Sequence, residues 1–427
     1  MSRRAAPSSA TEREAPGEDE PTRPTVVILV ENLAVPFDRR VWQEALALQS
    51  AGYRVHVVCP RSPQHPLGRE VLEGVCIHRY RPLCEANNMA GYVLEYGVAL
   101  VSMLAIVCGI ARRGRIAVIQ ACNPPDLLFL AALPFVLGGR TRFVFDQHDV
   151  GPELMIAKGK SEHGIAVRLT RVLERVTFRL ATVSIATNES YRDIAVGRGR
   201  MDPDNVFVVR SGPNVARFAE AAPSGRFHAG HRFLVAYVGV MGIQDGVDYL
   251  IDAAEYLVRK LGRTDVQFTL AGDGTEFGRL TERVDAMGLG SHVRFLGRVS
   301  DRDLGDLLAS ADVCVNPDEY NQMNDMSTMN KIMEYMALGR PIVQFDLTEG
   351  RVSAGAASLY VARNDASALA VGIAELLDEP IRREEMGEIG RARVATRLSW
   401  EHQVPALLEA YAWAMGNGPP GRLAGAA

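Results

Sequence analysis

At 427 residues the chain exceeds the roughly 250 to 300 residues that one hydrophobic core usually organises, so two globular domains are expected. A formal net charge of -4 and a pI near 6.2 supply no basic field for nucleic acid, and no RNP, zinc-finger or helix-turn-helix pattern compensates. The cysteines Cys59, Cys76, Cys84, Cys108, Cys122 and Cys314 lack the close pairing of a metal or redox motif and read as reduced thiols of a cytoplasmic protein.

In chain order, residues 1–24 are polar, proline-rich and charged of both signs, without the apolar centre of a signal peptide; a disordered tail is expected. Short β-branched runs at 26–30, 55–59, 117–120, 143–145 and 183–186 then alternate with helical patterns, which implies a parallel sheet covered by helices. The charge-free part of the apolar run 92–110 begins only after Glu95 and falls short of the roughly 20 residues of a spanning helix. A buried or surface-lying helix is expected there instead. Residues 157–181 carry Lys158, Lys160, Arg168, Arg171, Arg175 and Arg179 among apolar positions, a basic amphipathic pattern suited either to solvent or to anionic lipid.

A second strand series runs through 206–209, 234–238, 268–270, 293–296, 313–315 and 342–344, with a Gly- and Pro-rich boundary near 210–233. The expected organisation is a tail (1–24), a first Rossmann-like domain (25–210), a second (211–398), a helix crossing back to the first domain (399–415) and a tail (416–427). Ligands of open α/β sheets sit outside the carboxyl ends of the strands, so the cleft between the domains is the expected site.

The stretch 311–343 reads as strand, polar loop, a helix from about 328 to 338 ended by Gly339, and strand. It feeds a helix N-terminus into the cleft, where the amides of Met326, Ser327, Thr328 and Met329 and the macrodipole suit a diphosphate. Asn330, Lys331 and Glu334 lie near one face, with Glu334 able to accept from a ribose hydroxyl. Alternatively Ser327 or Thr328 only caps the helix, and Lys331 and Glu334 pair in solvent. Upstream, Gly239 and Gly242 follow a strand and allow close backbone approach, and AGDG (271–274) and FLGRVS (295–300) are further strand-to-helix turns.

Strand, loop, Glu-bearing helix and then A-x-G-x-P-x-V, here Glu334, Ala337, Gly339, Pro341 and Val343, resembles the donor site of glycosyltransferase family 4. That is a retaining family with the GT-B fold, α/β with two Rossmann-like domains facing each other across a cleft. The segment VENLAVPFDRRVWQEALALQSAGYRVHVVCP resembles a branch of it active in bacterial surface-polysaccharide assembly. The resemblance implies transfer from a nucleotide-diphospho-sugar, expected to be a UDP-sugar, to a saccharide or polyprenyl-linked acceptor. No metal is expected, because no Asp-x-Asp motif lies at a donor strand end, and no cofactor; a cytoplasmic protein is expected, whose basic face at 157–181 suits peripheral contact with the anionic inner face of the plasma membrane as well as it suits solvent.

The resemblance also assigns residues and exposes departures. The family's first Glu of an E-x7-E pair is Met326 here, and its diphosphate-gripping Arg and Lys are Val240 and Asp245. Asp325, beside Asn324, is the expected substitute at the sugar; the other reading makes Asp325 a helix cap and Met326 the lining of an apolar pocket. Lys331, Arg210 and Arg298 are the available cations for the phosphates, and the turns at Gly272, Asp273, Gly274, Arg298 and Val299 would hold base and ribose. His148 would stand beside the donor sugar. Glu31, Asn32, Asp38, Arg39, Arg40 and Asp149 would face the acceptor, unless Asp38 caps its helix and the arginines are solvated. Two rivals remain: a GT-B sugar-nucleotide epimerase and a silent sugar-nucleotide-binding partner. A Rossmann dehydrogenase fails because no strand leads into G-x-G-x-x-G with a following acidic residue.

Overall fold

The computed structural model describes residues 23–83 and 89–416; the stretches 1–22 and 417–427 of the expected tails, and Cys84, lie outside the described residues. Two sheets organise the chain. The first contains β1 (Thr25–Leu29), β2 (Arg54–Pro60), β3 (Arg69–Leu72), β4 (Val75–Tyr80), β5 (Ile116–Cys122), β6 (Arg142–Gln147), β7 (Val183–Ala186) and β8 (Val206–Val208), in the order β3-β4-β2-β1-β5-β6-β7-β8. Only β3 is antiparallel to its neighbour. The second sheet, wholly parallel, contains β9 (Phe233–Val238), β10 (Val266–Ala271), β11 (Val293–Gly297), β12 (Val313–Asn316), β13 (Ile342–Phe345) and β14 (Ser358–Val361), in the order β11-β10-β9-β12-β13-β14.

The sequence dictates this arrangement through strands that are apolar throughout rather than alternating, because parallel strands covered by helices are buried on both faces. TVVIL in β1 is buried at every position. The run at 206–209, read above as opening the second series, instead pairs with β7 and closes the edge of the first sheet. β1 lies between β2 and β5, and β9 between β10 and β12. Strand order reverses at both, and the crevices of these switch points hold the loops described below.

Helices Met89–Ala111, Phe129–Val136, Ile165–Leu180 and Glu189–Val196 cover one face of the first sheet and share its core with Leu29, Ile119 and Phe145. The other face is covered by Arg39–Ser50 and by the final helix Trp400–Ala414, whose Trp400, Leu407 and Tyr411 join Val41, Val57 and Val144. The helix Met89–Ala111 has 23 residues, longer than the charge-free run suggested, because Glu95 is accommodated within it. Its segment Leu94–Ala111 has a mean hydropathy of 2.0, enough by length and composition to cross a membrane, yet only 22% of that segment is buried.

Candidate active site

β12 runs into a polar loop, the short helix Gln322–Met326 and then the helix Asn330–Ala337, which carries Glu334. Asn324 is buried and its Nδ2 donates to the carbonyls of Gln244 and Glu319, both at 2.8 Å, so it clamps this loop to its neighbours. Asp325 does not take the place expected of it. Its carboxylate accepts from the backbone N and Oγ1 of Thr348, both at 2.9 Å, and so caps the helix Thr348–Ala354. Both carboxylate oxygens are thereby turned toward the start of that helix, where they satisfy an orphan amide and a hydroxyl.

The next residues face the first domain. Asn188 Nδ2 donates to the carbonyl of Met326 and to Thr328 Oγ1, each at 2.9 Å, and Tyr191 Oη lies 2.9 Å from Ser327 Oγ. Asn188 is itself positioned as the N-cap of Glu189–Val196, accepting from Tyr191 N at 2.8 Å. Met326 packs partly buried against the first domain's core. Arg210, an expected phosphate ligand, donates to Thr328 Oγ1 (3.4 Å) and pairs with Glu349 Oε2 (3.3 Å); its guanidinium ties the domains together.

Glu334 stands at the centre of an ion cluster that crosses the cleft. Its Oε1 accepts from Arg217 Nη1 at 3.0 Å and from Arg39 Nη1 at 3.2 Å, and the same two guanidiniums reach Asp301 at 2.9 Å and 2.7 Å. Among the described residues, Glu334 Oε2 accepts no hydrogen bond. Burial, and then the neighbouring Arg217, draw the Arg39 guanidinium below its ordinary range, although both carboxylates oppose this. Arg39, expected at an acceptor, therefore meets the donor-side carboxylate. Its two neighbours are also reassigned: Asp38 is buried and caps Arg39–Ser50 by accepting from Val41 N at 3.1 Å, and Arg40 is buried in the network described below.

Lys331 is not free for a phosphate either. Its Nζ pairs with Asp318 Oδ1 at 2.7 Å and lies 5.1 Å from the centre of the Tyr237 ring. Burial works against its charge, but Asp318 and Asp245 outweigh burial and hold the ammonium above its usual range. It sits beneath the Gly239 turn, where a Cβ on Gly239 would come within 3.3 Å of Lys331 Cε. Asn330 is exposed at the helix start, beyond the N-cap residue Met329.

The glycines of the second domain serve contact between turns more than open approach. Gly272 has φ +146°, and a Cβ there would lie 1.8 Å from the carbonyl oxygen of Gly239. The two turns are laced by Gly239 N to Ala271 O and Met241 N to Asp273 O, both 3.1 Å. Gly274 fits against the backbone of Met241 for the same reason. Asp245 accepts from Gly242 N at 2.9 Å, closing the turn, and burial pushes its carboxyl up to about 6. Val240 is exposed at the tip. Arg298 is also exposed, 3.7 Å from Asp273 Oδ2 and over the Phe37 ring of the first domain at 5.6 Å, while Val299 packs into the core beside it.

His148 follows β6 and its Nε2 lies 2.6 Å from Asp146 Oδ2. Asp146 Oδ1 accepts from Arg40 Nη2 at 2.8 Å, and Gln120 Nε2 bridges Asp146 Oδ2 (3.1 Å) and Glu44 Oε2 (2.7 Å). Tyr411 of the final helix donates to Gln120 Oε1 beneath them. Burial opposes charge on both partners, but Arg40 and His148 hold Asp146 well below the usual carboxylate range, and Asp146 in turn raises the imidazole. His148 is thus a fixed, cation-favouring group at the carboxyl end of a strand. Asn123 Oδ1 accepts from the backbone N of His148 (2.7 Å) and of Asp149 (3.1 Å), setting the loop. Cys122, Asp146 and His148 place three ligand atoms within 4.8 Å of one another. They do not fit a cation, because the Arg40 guanidinium already shares Asp146. Glu31, with exposed Asn32 beside it, is pushed up to about 7 by burial and by Glu95.

Arg217, Asp301, Asn188 and the Asp146 network were not singled out from sequence. Asn188 had a signal, since Thr-Asn-Glu at 187–189 after a strand is a helix start; Arg217, in an aperiodic linker, had none.

A family model described as Glycosyl transferase 4-like domain matches residues 38–212, and one described as Glycosyl transferases group 1 matches 232–379. The alpha-D-kanosaminyltransferase of Streptomyces kanamyceticus is 31% identical over 165 residues, covering 38% of this chain and 41% of that protein, so the match spans less than half of the relative. Among solved structures, sucrose-phosphate synthase from Thermosynechococcus elongatus superposes with a TM-score of 0.75 at 18% identity, over 91% of this chain and 98% of the other. HepE of Anabaena in complex with UDP and glucose gives 0.68 at 14% identity, over 91% and 100%. With the order of its strands, the Glu334 helix and both matched segments, the chain belongs to the GT-B glycosyltransferases of the family 4 type.

Proposed function

We propose that the protein transfers a sugar, with retention, from a nucleotide-diphospho-sugar to a saccharide or lipid-linked acceptor. The observation that carries this is Glu334, held through Oε1 by Arg39 and Arg217, with Oε2 left to accept from a ribose hydroxyl. The complex of HepE with UDP and glucose supports a diphosphate donor of the UDP class. In a front-face route the leaving diphosphate itself takes the acceptor proton, so the protein's task is to stabilise developing negative charge. The N-terminus of Asn330–Ala337 provides positive potential in the cleft, while Arg39 and Arg217, balanced by Glu334 and Asp301, orient the Glu334 carboxylate. On this reading His148, whose imidazole is held toward its charged form by Asp146, hydrogen-bonds a sugar hydroxyl.

One observation favours a silent sugar-nucleotide-binding subunit: Val240 and Asp245 occupy the positions of the family's phosphate-gripping cations, and Lys331 is paired with Asp318. Calorimetry across UDP- and GDP-sugars, followed by turnover with and without acceptor, separates the readings. Binding with acceptor-dependent release of the nucleotide is expected, and Glu334→Ala abolishes it. Interconversion of free nucleotide sugars would point to an epimerase, binding without turnover to the silent subunit, and no binding at all would refute every one of these readings.

A further inference from the structure

The helix Ile165–Leu180 is attached to the first domain by Val167, Glu174, Thr177 and Phe178; Phe178 meets Phe145 edge-on at 5.0 Å. Its opposite side carries Ile165, Leu169, Val172 and Val176, exposed by 86%, 55%, 52% and 37%. At roughly 100° per residue these four lie within about 60° of one another, on the side turned away from the core. Exposed Arg168, Arg175 and Arg179 line one flank of this stripe, and exposed Lys158 and Lys160 precede the helix. Arg171, on the same flank, pairs with Glu162 at 3.3 Å.

The same side of the sheet carries the apolar helix Met89–Ala111, held down by one row, Ala99, Met103, Val107 and Ile110, with Leu94 and Val101 facing outward. Between the two lies Phe129–Val136, with Leu130 and nearby Leu137 exposed. Each outer helix precedes a parallel strand and runs back against it, so both N-termini lie at the sheet edge where His148 and the cleft open. Three adjacent helices thus present apolar side chains in one layer, with basic residues beside them, on a chain whose net charge is -4.

We propose that this layer is a docking surface for an anionic bilayer, into which the stripe of Ile165–Leu180 and the outer face of Met89–Ala111 insert at the level of the headgroups. Apolar insertion flanked by basic residues is the pattern of an interfacial helix. A second copy of the chain fits poorly, because pairing this face with itself would bring the Arg168, Arg175 and Arg179 flanks together. The long apolar helix does not cross the membrane, since one of its rows is built into the domain core. It follows, on the transferase reading above, that the acceptor is the lipid-linked kind, presented at the cleft edge of the seated domain.

The test is sedimentation of the full chain with vesicles of phosphatidylcholine alone or with phosphatidylglycerol, at physiological salt. Pelleting with the anionic vesicles is expected at no less than about tenfold higher affinity than with neutral ones, as a few basic residues at an anionic surface give. Leu169→Glu with Val172→Glu is expected to lose about tenfold or more, and Arg168→Glu with Arg175→Glu a similar factor, while binding of nucleoside diphosphate by calorimetry stays unchanged and certifies the fold. Equal pelleting with neutral vesicles, no effect of either pair, or a concentration-dependent dimer in place of vesicle binding would overturn the proposal. A wild-type chain that pellets but binds no nucleotide sugar would leave the surface standing and remove the transferase reading.

Discussion

Arg217→Ala probes the donor side at its most informative point. In the intact chain Arg217 reaches Glu334 Oε1 at 3.0 Å and Asp301 through Nε at 2.9 Å and Nη2 at 3.1 Å, and it comes from the same half of the molecule as both. Without it, Glu334 is held only by Arg39, a more exposed side chain from the opposite domain. A hydrogen bond to a charged group contributes roughly 1.5 to 3 kcal/mol, so the loss of an oriented Glu334 should weaken binding of a nucleoside diphosphate about ten- to a hundredfold. Calorimetry with UDP, GDP and the corresponding nucleosides measures this. The nucleoside should lose affinity through the disordered ribose contact, and the diphosphate should lose more, because without Arg217 the carboxylates of Glu334 and Asp301 share only Arg39 and the cluster becomes net negative. Diphosphate affinity within about twofold of the parent would refute the role given to Arg217. Tighter binding would show that the guanidinium masks Glu334 instead of orienting it.

Three further outcomes follow from single contacts. Glu31 is held up to about 7, so the folded chain binds its proton better than the unfolded chain; its contribution to stability is present below the ordinary glutamate value of 4.5 and is lost as the pH rises through about 7. Glu31→Gln should flatten the decline in urea midpoint across that window, and an unchanged slope would assign the titration elsewhere. Asp325→Ala should cost about 0.5 to 2 kcal/mol by chemical denaturation, as for a lost N-cap, and leave kcat unchanged; a large fall in kcat with unaltered stability would return Asp325 to the sugar. Thr328→Val removes the hydroxyl shared by Asn188 and Arg210 and should raise the donor KM several-fold while increasing the radius of gyration in solution scattering, with neither change expected if the contact between domains is incidental.

What could be read from the residues alone was what depends on local pattern. Buried parallel strands announce themselves as unbroken β-branched runs, and the Glu334 helix is bounded by a polar loop and Gly339. The β3 and β4 hairpin was not legible because REVL and VCIHRY mix charged with apolar residues, without a clear turn signal beyond Glu73 and Gly74. Side-chain destinations were harder still. Asp325 and Asn324 are adjacent and chemically similar, yet one caps the helix at Thr348 and the other clamps carbonyls at Gln244 and Glu319, because consecutive residues of a helical turn point about 100° apart. Arg39 and Arg40 divide in the same way, one into the cleft and one into the buried network at Asp146.

That division bears on how a family 4 donor site could work without its usual charges. Val240 and Asp245 remove two cations from the second domain's own turn, and Met326 removes a carboxylate. The cations nearest Glu334 are instead Arg217, from the linker between the two sheets, and Arg39, from the first domain. A site built within one domain binds its ligand whether the cleft is open or closed. Here Arg39 reaches Glu334 and Asp301 only when the domains approach, and the contacts of Asn188, Tyr191 and Arg210 with the loop at 326–328 depend on the same approach. On the transferase reading, donor affinity is therefore coupled to closure, because the orientation of Glu334 is completed by Arg39 of the opposite domain at the moment the cleft excludes water.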